Sequence, residues 1–226
     1  MRATTITADP SIVPNYETRL DANRTWALRE GGMFFQNESE VQKSLRRITG
    51  RLRDLGIDYA VVGGMALFLH GYRRFTEDVD LLVTPDGLAK VHAALEGSGY
   101  RPPFPNSKNL RDTENGVRIE FLVTGEYPGD GKPKPVAFPD PSTAATPKDN
   151  MALLNLTRLI ELKLASGLTS TDRLKDLADV QELIKILALP KAYATQLDAS
   201  VREQYSALWQ GVETARLNRQ GGEELG

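Results

Sequence analysis

Residues 61–83 read VVGGMALFLHGYRRFTEDVDLLV, and the order of features in that stretch decides the fold. Tyr59-Ala60-Val61-Val62 is short, apolar and partly β-branched, the pattern of a buried strand. Gly63-Gly64 breaks it, and Met65 to His70 reads as a short helix. Asp78 to Val83 (DVDLLV) is a second strand. Strand side chains alternate faces, so Asp78 and Asp80 point one way while Val79, Leu81 and Val83 point to a core. Two adjacent carboxylates repel and raise one another's pKa unless a cation sits between them, and magnesium, a hard ion, prefers that oxygen donor set. A lone Asp-x-Asp is more often just the acidic outer face of a half-exposed strand. The glycine pair alters that weighing. A helix start offers unpaired N–H groups and a positive dipole end, which favour phosphate, and glycines let backbone approach a ligand closely. Thirteen residues separate Gly64 from Asp78, enough for a helix and a return to a neighbouring strand.

Composition bounds the rest. A chain of 226 residues with 40% hydrophobic and 26% charged residues can bury a real core and is not wholly disordered. A net charge of -2 argues against a globally basic nucleic-acid binder, though not against a local basic patch. With no cysteine, disulfide scaffolds, thiol catalysis and cysteine-ligated zinc are excluded. His70 and His92 are too few for a multi-histidine metal site. No apolar run approaches the length of a membrane span and no signal-peptide core opens the chain, so a soluble cytoplasmic protein without a membrane partner is expected.

Working outward, residues 1–37 are weakly patterned, with apolar patches at Trp26-Ala27-Leu28 and Met33-Phe34-Phe35, and read as an N-terminal extension packed on the outside or partly disordered. Residues 38–55 place Val41, Leu45, Ile48, Leu52 and Leu55 at helical spacing, stopped by Gly56. Asp86 can cap a helix over 87–96. Residues 100–116 read as loop and 117–123 (VRIEFLV) as a third strand. Six prolines between Gly125 and Asn150 predict little regular structure. Helical patterns follow at 156–166 and 172–188, and less distinctly over 191–214, before the solvated run Gly221-Gly222-Glu223-Glu224. The expected architecture is α+β: a core over 38–150 with a mixed sheet flanked by helices, then a small C-terminal helical subdomain over 151–226.

The stretch 61–83 resembles the DNA polymerase beta-like nucleotidyltransferase superfamily, whose signature is a strand ending in Gly-Gly or Gly-Ser, a short helix and a hydrophobic-flanked Asp-x-Asp. The approach through Arg74 and Thr76 to Asp78 is similar to the small abortive-infection and toxin-type members. The resemblance implies a third carboxylate on a later strand, for which Glu120 is placed, although Asp is commoner there. It implies that Asp78, Asp80 and Glu120 hold magnesium, or manganese, for an in-line displacement at the α-phosphate of a nucleoside triphosphate. Gly63 and Gly64 would hold the β- and γ-phosphates and Glu120 would help deprotonate the acceptor. The acceptor would be a hydroxyl on RNA such as transfer RNA, on protein or on a small molecule, and a toxin role would bring an antitoxin partner. The alternative is a non-catalytic nucleotide- or partner-binding member of the same fold.

The helical tail carries charges where a core stripe is expected. Lys163 falls within the arc of Leu156, Leu159, Ile160 and Leu164, and Arg173 and Asp176 fall on the apolar side of the next helix, with Asp179 near its border. An ammonium on a core face needs an anion. Two readings stand side by side and are compatible: a Lys163–Asp176 pair fixing how the helices dock, and Lys163 or Arg173 reaching nucleotide phosphate across the cleft. The pattern over 159–184 also resembles the helical segment of the toxin-type branch, where a Lys, then an Arg–Lys–Asp run and a second Asp complete the site. His70 and His92 read as structural, and Lys132, Lys134 and Lys148 as a solvated loop.

Overall fold

The computed structural model describes residues 13–223. The first 12 residues of the expected extension, and Glu224 of the expected solvated run, lie outside the described residues. The centre of the fold is three strands, β1 (Tyr59–Val61), β2 (Asp78–Val83) and, further along the chain, β5 (Arg118–Val123). β2 lies antiparallel to β1 and parallel to β5. Val79, Leu81, Ile119 and Phe121 are fully buried, so the alternation that sends them to the core leaves Asp78, Asp80 and Glu120 on the other face. Between β1 and β2 runs α4 (Gly63–Leu69).

The sheet is wider than three strands. The expected loop over 100–116 contains two short strands, β3 (Tyr100–Arg101) and β4 (Leu110–Asp112), which extend it beyond β5. On the far side, α6 (Pro141–Ala144) and β6 (Ala145–Lys148) occupy the end of the proline-rich stretch, and β6 forms a hairpin with β7 (Met151–Leu154). β7 runs parallel to β1, with Val61 opposite Leu153, so the seven-stranded order is β3-β4-β5-β2-β1-β7-β6 and the sheet continues past residue 150. Four apolar residues between prolines and a helix carry little strand signal of their own; pairing with β6 along their whole length, and with β1 at Leu153, makes them one.

The N-terminal region is helical: α1 (Tyr16–Ala22) and α2 (Arg24–Phe35). Tyr16 and Phe34 are fully buried in the core, against the expectation of a peripheral or partly disordered segment. Phe34 meets Phe68 and Phe75 edge-on with ring centroids 5.2 and 5.1 Å apart, and Tyr16 donates its hydroxyl to Glu30 at 3.1 Å. The pattern was weak because few positions are anchored; neighbouring Leu28 and Phe35 are exposed. α3 (Glu40–Asp54) begins at a Ser39–Gln42 capping box and buries Val41, Leu45, Ile48 and Leu52, though Leu55 is exposed. α5 (Pro85–Leu95) is capped by Thr84 and not by Asp86: the Thr84 hydroxyl accepts from the Gly87 N–H, and Pro85 fits the first helical position.

Next in the chain, α7 (Leu156–Gly167) and α8 (Leu174–Ile186) pack against each other and are joined through a 3-10 turn at Thr171–Arg173. The region after Pro190 is two 3-10 turns and then α9 (Arg202–Glu223), anchored by buried Tyr205 and by Trp209 donating to the Leu189 carbonyl at 3.0 Å. Gly221–Glu223 continue this helix. No helix among the described residues is long and apolar enough to cross a membrane.

Candidate active site

Parallel pairing of β2 with β5 sets Asp78 opposite Arg118 and Asp80 opposite Glu120. All four side chains therefore share one face of the sheet. Asp78, Asp80 and Glu120 each offer an oxygen within 4.8 Å of the others, a spacing that could hold a metal ion. The carboxyl of Asp80 is pushed up to about 7 by burial, then by the Asp78 and Glu120 charges; Lys163 and the Gly64 N–H oppose the shift. Three hard oxygen donors, one of which, Asp80, resists ionisation beside the other two, fit a divalent cation.

That shift has a sign that can be measured. A carboxyl at about 7 in the fold and 3.8 in the open chain costs folding energy when ionised, so the cost is full above 7 and is relieved as the pH falls toward 4. Metal-free protein is therefore expected to gain stability through that window from this group, and saturating magnesium to flatten the slope. Thermal unfolding with chelator and with magnesium reads both; identical pH profiles in the two would contradict the assignment.

Gly63 sits in the left-handed region at φ +58°, and a Cβ there would lie 2.8 Å from the Cβ of Asp80 and overlap its carboxylate. A Cβ on Gly64 would lie 2.6 Å from Thr76 Oγ1. The glycine pair thus lets α4 start directly against the acidic strand. Gly63→Ala should cost about 3 kcal/mol or more, from the backbone strain plus displacement of Asp80. A chemical unfolding curve superimposable on the parent's would contradict it.

Thr76 is buried and donates its hydroxyl to Asp78 Oδ1 at 2.8 Å, so it orients a carboxylate. Arg74, expected at the nucleotide, forms a two-pronged pair with Asp179 (2.9 and 3.1 Å). Lys163 pairs with Asp176 at 2.6 Å and with Asp179 at 2.9 Å, its side chain only 13% exposed. Burial pulls the Lys163 ammonium down, but Asp179 and then Asp176 outweigh it and hold the group above the ordinary lysine value. Ser166 donates to the other oxygen of Asp176 at 2.6 Å. Asp179, placed only near the border of the α8 stripe by sequence, is thus the anion that joins Lys163 of α7 to Arg74 of the loop before β2.

A cleft of about 790 Å³ unites these parts. Gly63, Asp80 and Glu120 line one side; Lys163, Arg173 and Asp176 line another, with Leu122, Phe138, Leu159 and Leu162 as apolar floor and the glycine-rich loop 125–131 at the rim. Arg173 is exposed. Gly64, Arg74, Thr76 and Asp78 are not among its lining residues. Sequence reasoning passed over Arg118, whose Nη2 is 2.9 Å from Asp78 Oδ2 and 3.1 Å from Glu120 Oε1. The signal was available, since residues 118 and 120 share a strand face.

A family model described as an uncharacterised nucleotidyltransferase matches residues 23–192, most of the chain. The chain belongs to this family. No curated protein matches it. Among solved structures, it is similar to an antigenic nucleotidyltransferase-like protein from Paracoccidioides brasiliensis, at 20% identity and TM-score 0.50 over 80% of this chain and 91% of that one. It is also similar to JHP933 from Helicobacter pylori (17%, TM-score 0.43, 81% and 94%). A third likeness is ANT(2'')-Ia in complex with adenylyl-2''-tobramycin (12%, TM-score 0.43, 77% and 97%). The first of these supports a shared nucleotidyltransferase fold. The nucleotidyltransferase family match, which covers β1 to α8 and the whole cleft, makes nucleotidyl transfer the general activity.

Proposed function

We propose that this nucleotidyltransferase moves a nucleoside monophosphate from a nucleoside triphosphate to a hydroxyl acceptor, using magnesium or manganese held by Asp78, Asp80 and Glu120. The observation that supports this most is the convergence of those three carboxylates from two parallel strands, two of which, Asp80 and Glu120, line one cleft with Gly63 and Lys163. A pair of such ions, when bound, neutralises the attacking and leaving oxygens of the displacement. The residues of the chain do the rest. Gly63 and Gly64 present side-chain-free backbone to the β- and γ-phosphates. Arg173 draws the triphosphate in, and Lys163, held in place by Asp176 and Asp179, presents its ammonium from the far wall. Glu120 receives the proton of the acceptor hydroxyl. That oxygen bonds to the α-phosphorus, and pyrophosphate leaves with the broken bond's electron pair.

The test is incubation with labelled nucleoside triphosphates, magnesium and acceptors of three kinds: transfer RNA, protein and small hydroxylated molecules. Label transfer abolished by chelator is the expected result. Tight nucleotide binding by calorimetry with no metal dependence and no transfer would favour a non-catalytic member of the fold. The complete acid set supports the catalytic reading. A toxin role, with a partner protein holding the chain inactive, extends the proposal: expression alone in a bacterial host should slow growth, and normal growth would remove that extension.

A further inference from the structure

The acidic cluster is not left uncompensated in the fold. The Arg118 guanidinium bridges Asp78 and Glu120 through Nη2, at 2.9 and 3.1 Å, and those are two of the three carboxylates proposed above to hold metal. A divalent ion that takes oxygens from both must compete with this contact, because an oxygen turned to a guanidinium is partly spent as a ligand. Arg118 is 39% exposed, so its head is free to swing. Its Nε is nevertheless buried with no hydrogen-bond partner, and Glu17 Oε1 lies 3.7 Å from it. That is just beyond hydrogen-bond reach, which leaves a donor and an acceptor poised to meet by a small rotation.

Glu17 belongs to α1, and its place is firm. Its Oε2 accepts from Arg111 Nη1 at 2.8 Å, Arg111 also donates to the Gly116 carbonyl at 2.6 Å, and the Tyr16 N–H donates to the same carbonyl at 3.1 Å. Asp21 and Glu77 lie in the same electrostatic neighbourhood, so a guanidinium turned away from the triad stays in a negative field. Residue 17 precedes the span 23–192 matched by the family model, so the anion comes from a part of the chain outside it.

We infer that Arg118 is a resident counter-cation that holds Asp78 and Glu120 until metal displaces it, and that Glu17 receives the displaced guanidinium. The inference rests on the metal site proposed above. Arg118 is then a positioning residue that sets metal affinity, and α1 becomes part of the control of the site. Without metal, Arg118 lessens repulsion among the acids; with metal, its departure to Glu17 clears both oxygens.

The experiment is calorimetric titration of manganese into the full chain, with thermal unfolding of each metal-free variant. Arg118→Gln should tighten the manganese Kd by about tenfold, the factor expected from one lost competing charge-assisted contact. It should also lower the metal-free Tm, with manganese restoring it. Glu17→Gln should weaken binding several-fold in the parent and have little effect once Arg118 is Gln, a dependence that a merely structural role would not produce. Arg118→Lys, which keeps the charge but not the planar fork, should fall between and serves if the Gln variant folds poorly. Unchanged or weaker binding in both Arg118 variants would overturn the inference while leaving the metal site standing, provided Asp80→Asn abolishes the parent's binding. No manganese binding by any variant would remove both.

Discussion

Asp80→Asn should lower nucleotidyl transfer by about three orders of magnitude or more, while the metal-free protein keeps or gains stability. The two effects have one cause. The Asp80 carboxylate faces Asp78 and Glu120, and its ionisation is resisted by burial and by both neighbours. An amide of the same shape still accepts the Gly64 N–H but carries no charge, so the repulsion disappears along with the strongest reason for a divalent ion to bind. Losing the electrostatic clamp on a phosphoryl-transfer transition state is worth about 4 kcal/mol, which is the stated factor in rate. The paired measurement is label transfer at saturating magnesium and a thermal unfolding curve without metal. Retained transfer would end the metal-carboxylate mechanism. A large fall in Tm would instead make Asp80 chiefly a partner for Lys163.

Asp179→Ala should be among the most damaging single changes to the fold, costing about 3–5 kcal/mol. The Asp179 side chain is 2% exposed and answers two cations at once, Arg74 through both oxygens and Lys163 at 2.9 Å. Removing it leaves two nearly buried charges short of an anion, and the loss is larger than deletion of an exposed pair. Asp176→Ala should cost clearly less, because Lys163 keeps Asp179 and the Asp176 side chain is 16% exposed. At this chain length each kcal/mol is roughly 2–4 °C in Tm, so about 10 °C separates Asp179→Ala from the parent. Equal, small effects from both variants would mean that the helices α7 and α8 dock by apolar packing alone.

The core strands were legible because their pattern is local. The sequence reading places strands at 59–62, 78–83 and 117–123, and the structure has them at Tyr59–Val61, Asp78–Val83 and Arg118–Val123. An alternating strand declares its two faces before its partners are known, so the shared direction of Asp78 and Asp80 followed at once. Lys163 stood out on an apolar arc for the same reason, and its partner Asp176 was within reach of the argument. What escaped were residues whose role depends on a remote partner. β7 is four residues that become a strand by pairing with β6 and, at Leu153, with the remote β1. α1 and α2 are anchored by Tyr16 and Phe34, too few positions to print a periodic signal. Arg74 and Thr76 stand out in sequence, and the structure sets one against Asp179 and the other against Asp78, outside the cleft lining.

Periodicity and residue chemistry by themselves determined the type of the central elements, the face each acid occupies and the need of Lys163 for an anion, because these depend on neighbours a few residues away. Only the tertiary structure decided that Asp179 answers Lys163 and Arg74 together, and that Glu17 comes to rest beside Arg118 across about a hundred residues of chain. Long-range contacts of that kind are selected by the packing energy of the whole assembly. A charged side chain's own surroundings in sequence do not contain that energy.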